Sequence, residues 1–230
     1  MGKSENSPEE RLREAGRLSG QGGSHLEQGN YDLALEAFNA SYDIYRGLRD
    51  DDGQVSVLQR IADIHLRQKH SEKALETYGT LLSLARQMNN TKAAAMLLNN
   101  TGLLRARTGD CDGALKCFRE SLRFFESMGD RLNTARQWGN IGSVLRDLED
   151  HEGALDSYNK ALPIFEGLVS REGVADQYTN IAYIHAMKGD PGEALSWYKK
   201  GFEIYKETNS KKKADVTRRN IKNLDPDFAG

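Results

Sequence analysis

The sequence predicts an all-α solenoid: five helical hairpins stacked in series and closed by one further helix. Three observations predict it. Alanine recurs at a forty-residue spacing, at Ala34, Ala74, Ala114, Ala154 and Ala194, each followed by leucine. Four residues beyond each alanine stands an aromatic: Phe38, Tyr78, Phe118, Tyr158 and Tyr198. Twelve residues before each stands a very small residue: Gly22, Ala62, Gly102, Gly142 and Ala182. A fixed period of this size marks an array in which each unit buries its apolar face only by stacking on its neighbours.

The elements follow in order. Residues 1–10 form a polar segment in which Ser7, Pro8, Glu9 and Glu10 supply a helix start: a hydroxyl cap, proline in the first turn, then acids. The first helix then carries Gly16, Gly20, Gly22 and Gly23. At roughly 1 kcal/mol per glycine, it is expected to be weaker than its counterparts by about 3 to 4 kcal/mol, making the N-terminal unit the loosest. The units are placed at about 11–50, 51–90, 91–130, 131–170 and 171–210, with residues 211–230 forming the closing helix and tail.

The fourth unit shows the pattern best. Trp138, Ile141, Gly142 and Leu145 share one helical face, as do Ala154, Leu155, Tyr158, Leu162 and Phe165 in the helix after it. Glu149 to Gly153 breaks the periodicity between them, and a second break near Ser170 to Gly173 leads to the fifth unit. Ala214 to Leu224 repeats a first helix alone, and Asp225-Pro226 stops it. Such a polar terminal helix covers the last apolar face of a solenoid.

Trp138-x2-Ile141-Gly142-x2-Leu145 followed by Ala154-x3-Tyr158 resembles the tetratricopeptide repeat pattern over roughly residues 11–210. The forty-residue period resembles the long-repeat class of Leu-Gly-Asn repeat adaptors and kinesin light chains. The resemblance implies a right-handed superhelix of five such hairpins, with the first helices lining a concave groove that binds other proteins.

Composition sets bounds on function. Lysine and arginine number 32 against 34 acids, a net charge of −2, so the overall field favours neither nucleic acid nor membrane. No apolar run is long enough for a membrane span or a signal-peptide core, and Asn6 stands where a myristoylation signal wants Ser or Thr. Cys111 and Cys117 are expected to be ordinary reduced residues. The expectation is a cytoplasmic protein.

No catalytic or metal centre is expected, and no cofactor. His25, His65 and His185 share one register, but successive units are separated by about 8 to 10 Å, far beyond the reach of one zinc ion. They are read as structural histidines. Acids at Asp50 to Asp52 and at Glu149-Asp150 are read as solvated turn residues. Phosphate loops, nucleophile elbows and HExxH are all missing from the sequence.

The binding candidates lie on the other side of the first helices. Arg136, Asn140, Ser143 and Asp147 form a stripe at spacing i, i+4, i+7, i+11, and its second register reads Gly20, Arg60, Asn100, Asn140, Asn180 and Asn220. Asparagine donates and accepts, which suits an extended peptide backbone. The alternative is that each asparagine bonds its own helix neighbours. The stripe and its flanks add Arg67, Arg107, Arg146 and Arg219, so that six arginines face Glu27, Asp63, Asp147 and Asp176. Leu66, Leu103, Tyr183 and Met187 supply apolar patches.

The expected ligand is an extended, partly apolar segment of another protein, with a weak preference for acidic side chains. Lys211-Lys212-Lys213 is read as a solvated turn. A co-chaperone carboxylate clamp does not fit, because the register for its first asparagine holds Gly23, Asp63, Leu103, Ser143 and Tyr183. Two alternatives to the peptide receptor are a self-associating structural oligomer and a nucleic-acid binder acting through the groove arginines. The net charge opposes the second.

Overall fold

The computed structural model describes residues 7–229, all in helices and short turns. The helices are α1 (Pro8–Glu27), α2 (Tyr31–Leu48), α3 (Asp51–Arg67), α4 (Ser71–Gln87), α5 (Thr91–Arg107), α6 (Cys111–Ser127), α7 (Arg131–Asp147), α8 (His151–Gly167), α9 (Arg171–Met187), α10 (Pro191–Glu207) and α11 (Lys211–Leu224). They make five hairpins and a closing helix. The chain divides into two compact units, residues 1–97 and 98–230, with the boundary inside α5. Asn6, which bears on the acylation expectation, lies outside the described residues.

The turns are three residues long, except for Arg49–Asp50 between α2 and α3, and are built from one device. At the end of α7, Glu149 adopts a left-handed φ of 63°. Its N–H then bonds the Arg146 carbonyl at 2.9 Å, and the Asp150 N–H bonds the Leu145 carbonyl at 2.9 Å. This pairing satisfies carbonyls that the helix end leaves without partners. Asp150 also begins the next helix, its carboxylate accepting from Gly153 N–H at 2.9 Å. Asp50 and Asp110 do the same for Gly53 and Gly113. Asp50 and Asp150 are thus helix caps, Asp51 and Asp52 belong to the first turn of α3, and Glu149 remains an exposed turn residue. His151 to Gly153 belong to α8, and Arg171 to Gly173 to α9, so both sequence breaks are shorter than the periodicity suggests. At the start of α1, Ser7 is the cap that the sequence predicts, and Glu10 makes it reciprocal, at 3.2 and 2.9 Å.

The recurrent small residue makes room for the recurrent aromatic. A Cβ on Gly142 would stand 2.6 Å from the Tyr158 ring, and one on Gly102 2.7 Å from Phe118. Gly22 has the same relation to Phe38 in the first unit, at 2.8 Å. The five alanines at the forty-residue spacing are completely buried. In the second unit Tyr158 packs with Ala154, Ile181 and Ile184, and Phe165 with Ala135, Ala161 and Val174.

Within each compact unit a second aromatic register joins one hairpin to the next. Tyr45 of α2 lies on Gly53 of α3, and Phe165 of α8 lies on Gly173 of α9. At the corresponding place in α11 stands Lys213, with its ammonium 5.6 Å from the centre of the Tyr205 ring. Among the described residues no helix is long and apolar enough to cross a membrane.

Candidate functional site

The stripe of α7 stays accessible while its other faces are covered. Arg136 and Asp147 are exposed, Asn140 and Ser143 half-buried, and Thr134, Ala135, Gln137, Ile141 and Val144 buried. The two flanking helices of the second unit repeat this. Ile181, Ala182 and Ile184 of α9 are buried beside a half-buried Asn180 and an exposed Tyr183, while Thr217 and Ile221 of α11 are buried beside a half-buried Asn220. The inward set fixes the outward set, because both follow from a single helical rotation.

Four of the sequence-predicted residues meet at one pocket. Arg146 of α7, Asn180 and Tyr183 of α9, and Asn220 of α11 line an open cavity of about 360 Å³. Tyr198 and Tyr205 of α10 line it too, with Asp176, Thr179, Lys212, Lys213, Val216 and Thr217. Asn180 has no hydrogen-bond partner among the described residues, and Asn220 donates only a long bond, 3.5 Å, to the Tyr198 hydroxyl. Burial and the neighbouring Tyr183 push the Tyr198 hydroxyl up to about 12, so it stays protonated.

The ionic ties around the pocket are self-contained. Arg146 donates to the Asp147 carboxylate at 2.9 and 2.7 Å and lies 5.5 Å from the Tyr183 ring centre. Lys213 bridges Asp176, at 2.7 Å, and Glu172, at 3.0 Å. Burial works against the Lys213 ammonium, but the two carboxylates outweigh it and hold its pKa above the ordinary lysine value. Asp176 also accepts from the Tyr205 hydroxyl at 2.6 Å. Burial first, and the adjoining carboxylate second, push that hydroxyl above its ordinary range.

The remaining predicted residues are placed differently. Asn100 and Asn140 are drawn into an amide cluster centred on Asn99. Asn140 donates to its side-chain oxygen at 3.2 Å, Gln137 donates to the same oxygen at 2.9 Å, and Asn99 donates to Asn100 at 3.2 Å. One half of each amide is therefore used within the chain, while the Asn140 oxygen and the Asn100 nitrogen are left available. Arg107 and Arg136 are exposed, Arg136 bonding Asn133 at 3.3 Å. Arg60 and Arg67 are exposed on α3, in the first unit, and are not part of the pocket.

Several site residues escape a reading by register. Lys211 to Lys213 form the first turn of α11 rather than a turn between elements, and two of these lysines line the pocket. Val216 sits one turn before Asn220 and Thr179 directly precedes Asn180, at positions where no other unit has the same residue type. Tyr198 was visible only as a core aromatic. The histidines are tucked in singly: His65 is buried and His25 half-buried, each with an Nδ1 that finds no partner. Burial pushes the His65 pKa down, with Lys73 and His70 adding to it. Among the described residues no three His, Cys, Asp or Glu side chains are grouped to hold a metal ion.

A family model described as tetratricopeptide repeat matches residues 15–87, 92–167 and 134–207. No curated protein matches the sequence. Among solved structures, the chain is similar to BtubC (BKLC) from P. vanneervenii, with a TM-score of 0.70, 17% identity, and coverage of 88% of this chain and 84% of that one. It is similar to RapI in its apo form, with a TM-score of 0.83 and 14% identity over 97% of this chain and 62% of that one. A signal transduction ATPase with a tetratricopeptide repeat sensor, from Pyrococcus horikoshii, gives 0.79 and 14% over 94% of this chain but only 33% of its own length. At these identities the likeness concerns the fold.

Proposed function

This chain belongs to the tetratricopeptide repeat family, and on that premise we propose that it is a non-catalytic scaffold that binds an extended segment of a partner protein along its first helices. The forty-residue period supports placing it in the long-repeat class, beside Leu-Gly-Asn repeat adaptors and kinesin light chains. The observation that carries the reading is the meeting of Asn180, Asn220, Tyr183 and Arg146 at one open pocket. An unfolded segment brings backbone N–H and C=O groups that need pairing, and unpaired amides of both polarities meet that need. The half-used amides of Asn140 and Asn100 extend the same chemistry onto α7 and α5.

The test is panning of random linear peptides against the immobilised protein, followed by affinity measurement on the retained sequences. Asn140→Ala/Asn180→Ala is expected to weaken binding by about 1 to 3 kcal/mol, from lost hydrogen bonds and groups left unpaired. Equal affinity for the double variant would remove the asparagines from the binding surface.

A further inference from the structure

We infer that the pocket between α9, α10 and α11 is the anchoring point of the bound segment, that it accepts an uncharged apolar side chain, and that α11 is one of its walls. This rests on the peptide-binding reading above and narrows it. The occupant is an extended polypeptide whose anchoring residue is aliphatic or aromatic and neutral.

The charge balance argues for neutrality. Arg146, Lys212 and Lys213 are the cations at the pocket, and Asp147, Asp176 and Glu172 stand against them. Arg146 spends two of its N–H groups on Asp147 and spreads its remaining face over Tyr183. Lys213 is held from two sides, and the second acid of that pair offsets Lys212. An incoming carboxylate would meet Asp176 and Glu172 as well as the lysines, and it could pair with Arg146 or Lys213 only by breaking their bridges, which leaves Lys212 alone to attract it. The tyrosine hydroxyls, kept protonated by burial, add no charge.

The walls argue for an apolar occupant. Tyr183 is 41% exposed and Val216 48%, and both line the cavity from facing helices, α9 and α11. Thr179 and Thr217 continue the lining. Large apolar surface left open beside unpaired amides is the usual make-up of a site that seats one side chain and pairs the backbone beside it.

α11 is fixed well enough to serve as a wall. Its Ile221 and Thr217 are buried, and Lys213 ties its first turn to two carboxylates of α9. The same helix therefore covers the last hairpin and supplies Val216 and Asn220 to the cavity.

The experiment uses the full chain and bead-bound linear peptides that are random except at one central position, fixed in separate pools as Leu, Tyr, Ser, Glu or Lys. The Leu and Tyr pools are expected to be retained about ten-fold better than the Glu and Lys pools, to a similar extent at low and high salt. Val216→Glu is expected to abolish that selection, and Val216→Thr, which keeps the shape, to preserve most of it. Circular dichroism on both variants checks that the helices are intact. Preference for the Glu pool that fades with salt would overturn the neutral anchor. Selection for Leu and Tyr that survives Val216→Glu unchanged would overturn the pocket while leaving peptide binding elsewhere on the first helices in place. Retention of no pool by the wild-type chain would overturn peptide binding itself, and the pocket with it.

Discussion

α1 and α11 occupy the same place in the forty-residue register, yet they fill it with opposite residues. Where α11 buries Thr217 and Ile221, α1 exposes Arg17 and Gln21. Where α1 buries Gly22 beneath Phe38, α11 exposes Lys222. The difference follows from which neighbour each helix has. α1 packs on α2, which follows it, and its other face is open to water. α11 packs on α10, which precedes it, and no described helix follows. Each keeps the apolar half of the repeat pattern that faces its one neighbour and replaces the other half with polar residues.

The comparison can be broken at one position. Ile221 is fully buried and Gln21, its counterpart, is exposed. Ile221→Ala is expected to cost about 2 to 4 kcal/mol, through lost burial and a cavity. Gln21→Ala should change stability by no more than about 0.5 kcal/mol. Amide hydrogen exchange of α11 and α1 measures both. Comparable effects at the two sites would mean that the register does not decide which face is core.

A second change sharpens the contrast in backbone strength. Of the four glycines in α1, only Gly22 has a packing role, since a Cβ there would press on the Phe38 ring. Gly16, Gly20 and Gly23 have open space around them. The triple Gly→Ala variant at those three positions is expected to stabilise α1 by about 2 to 3 kcal/mol, by raising helix propensity and restricting the unfolded chain. Slower exchange of α1 amides, with α11 unchanged, is the expected outcome. Unchanged α1 exchange would show that the glycines do not set its strength.

What the sequence revealed, and what it hid, divides along the same physical line. Residues whose identity is forced by steric contact were legible. Gly142 against Tyr158 has counterparts in every unit because only glycine or alanine stands beside the ring, and recurrence is what a periodic reading detects. The stripe through Asn140, Asn180 and Asn220 was legible for the same reason, since burial of the opposite face leaves it outward. The contacts made by those side chains were not. Asn140 reaches Asn99, a neighbour of the register rather than a member of it, and so half its capacity is consumed out of view. Lys213 looked like part of a solvated turn because three lysines in a row carry no apolar period. Its position is set by Asp176 and Glu172, thirty-seven and forty-one residues earlier, and paired charges leave no pattern in a hydrophobic profile. The pocket combines Val216 with Tyr183 across two helices and occurs once, so repetition could not point to it.

The turns offer the smallest and cleanest comparison. Gly29 closes the first hairpin with a φ of 78°, and Val169 ends the fourth with a φ of 53°. Both make the same bonds: Gly29 N–H to the Leu26 carbonyl at 3.1 Å, and Val169 N–H to the Glu166 carbonyl at 2.9 Å. Glycine adopts this left-handed conformation freely, but a side chain branched at Cβ crowds the following carbonyl there. Val169 is 78% exposed, so its side chain brings little burial to offset the strain. Val169→Gly is therefore expected to stabilise the chain by about 1 kcal/mol, the relief of strain exceeding the extra freedom that glycine gives the unfolded state. Gly29→Val should cost about 1 to 2 kcal/mol by the same argument run in reverse. Urea denaturation of the two single variants checks the pair. If Val169→Gly destabilises, the branched side chain has a role at that turn beyond its backbone, and the strain argument fails there while standing or falling separately at Gly29.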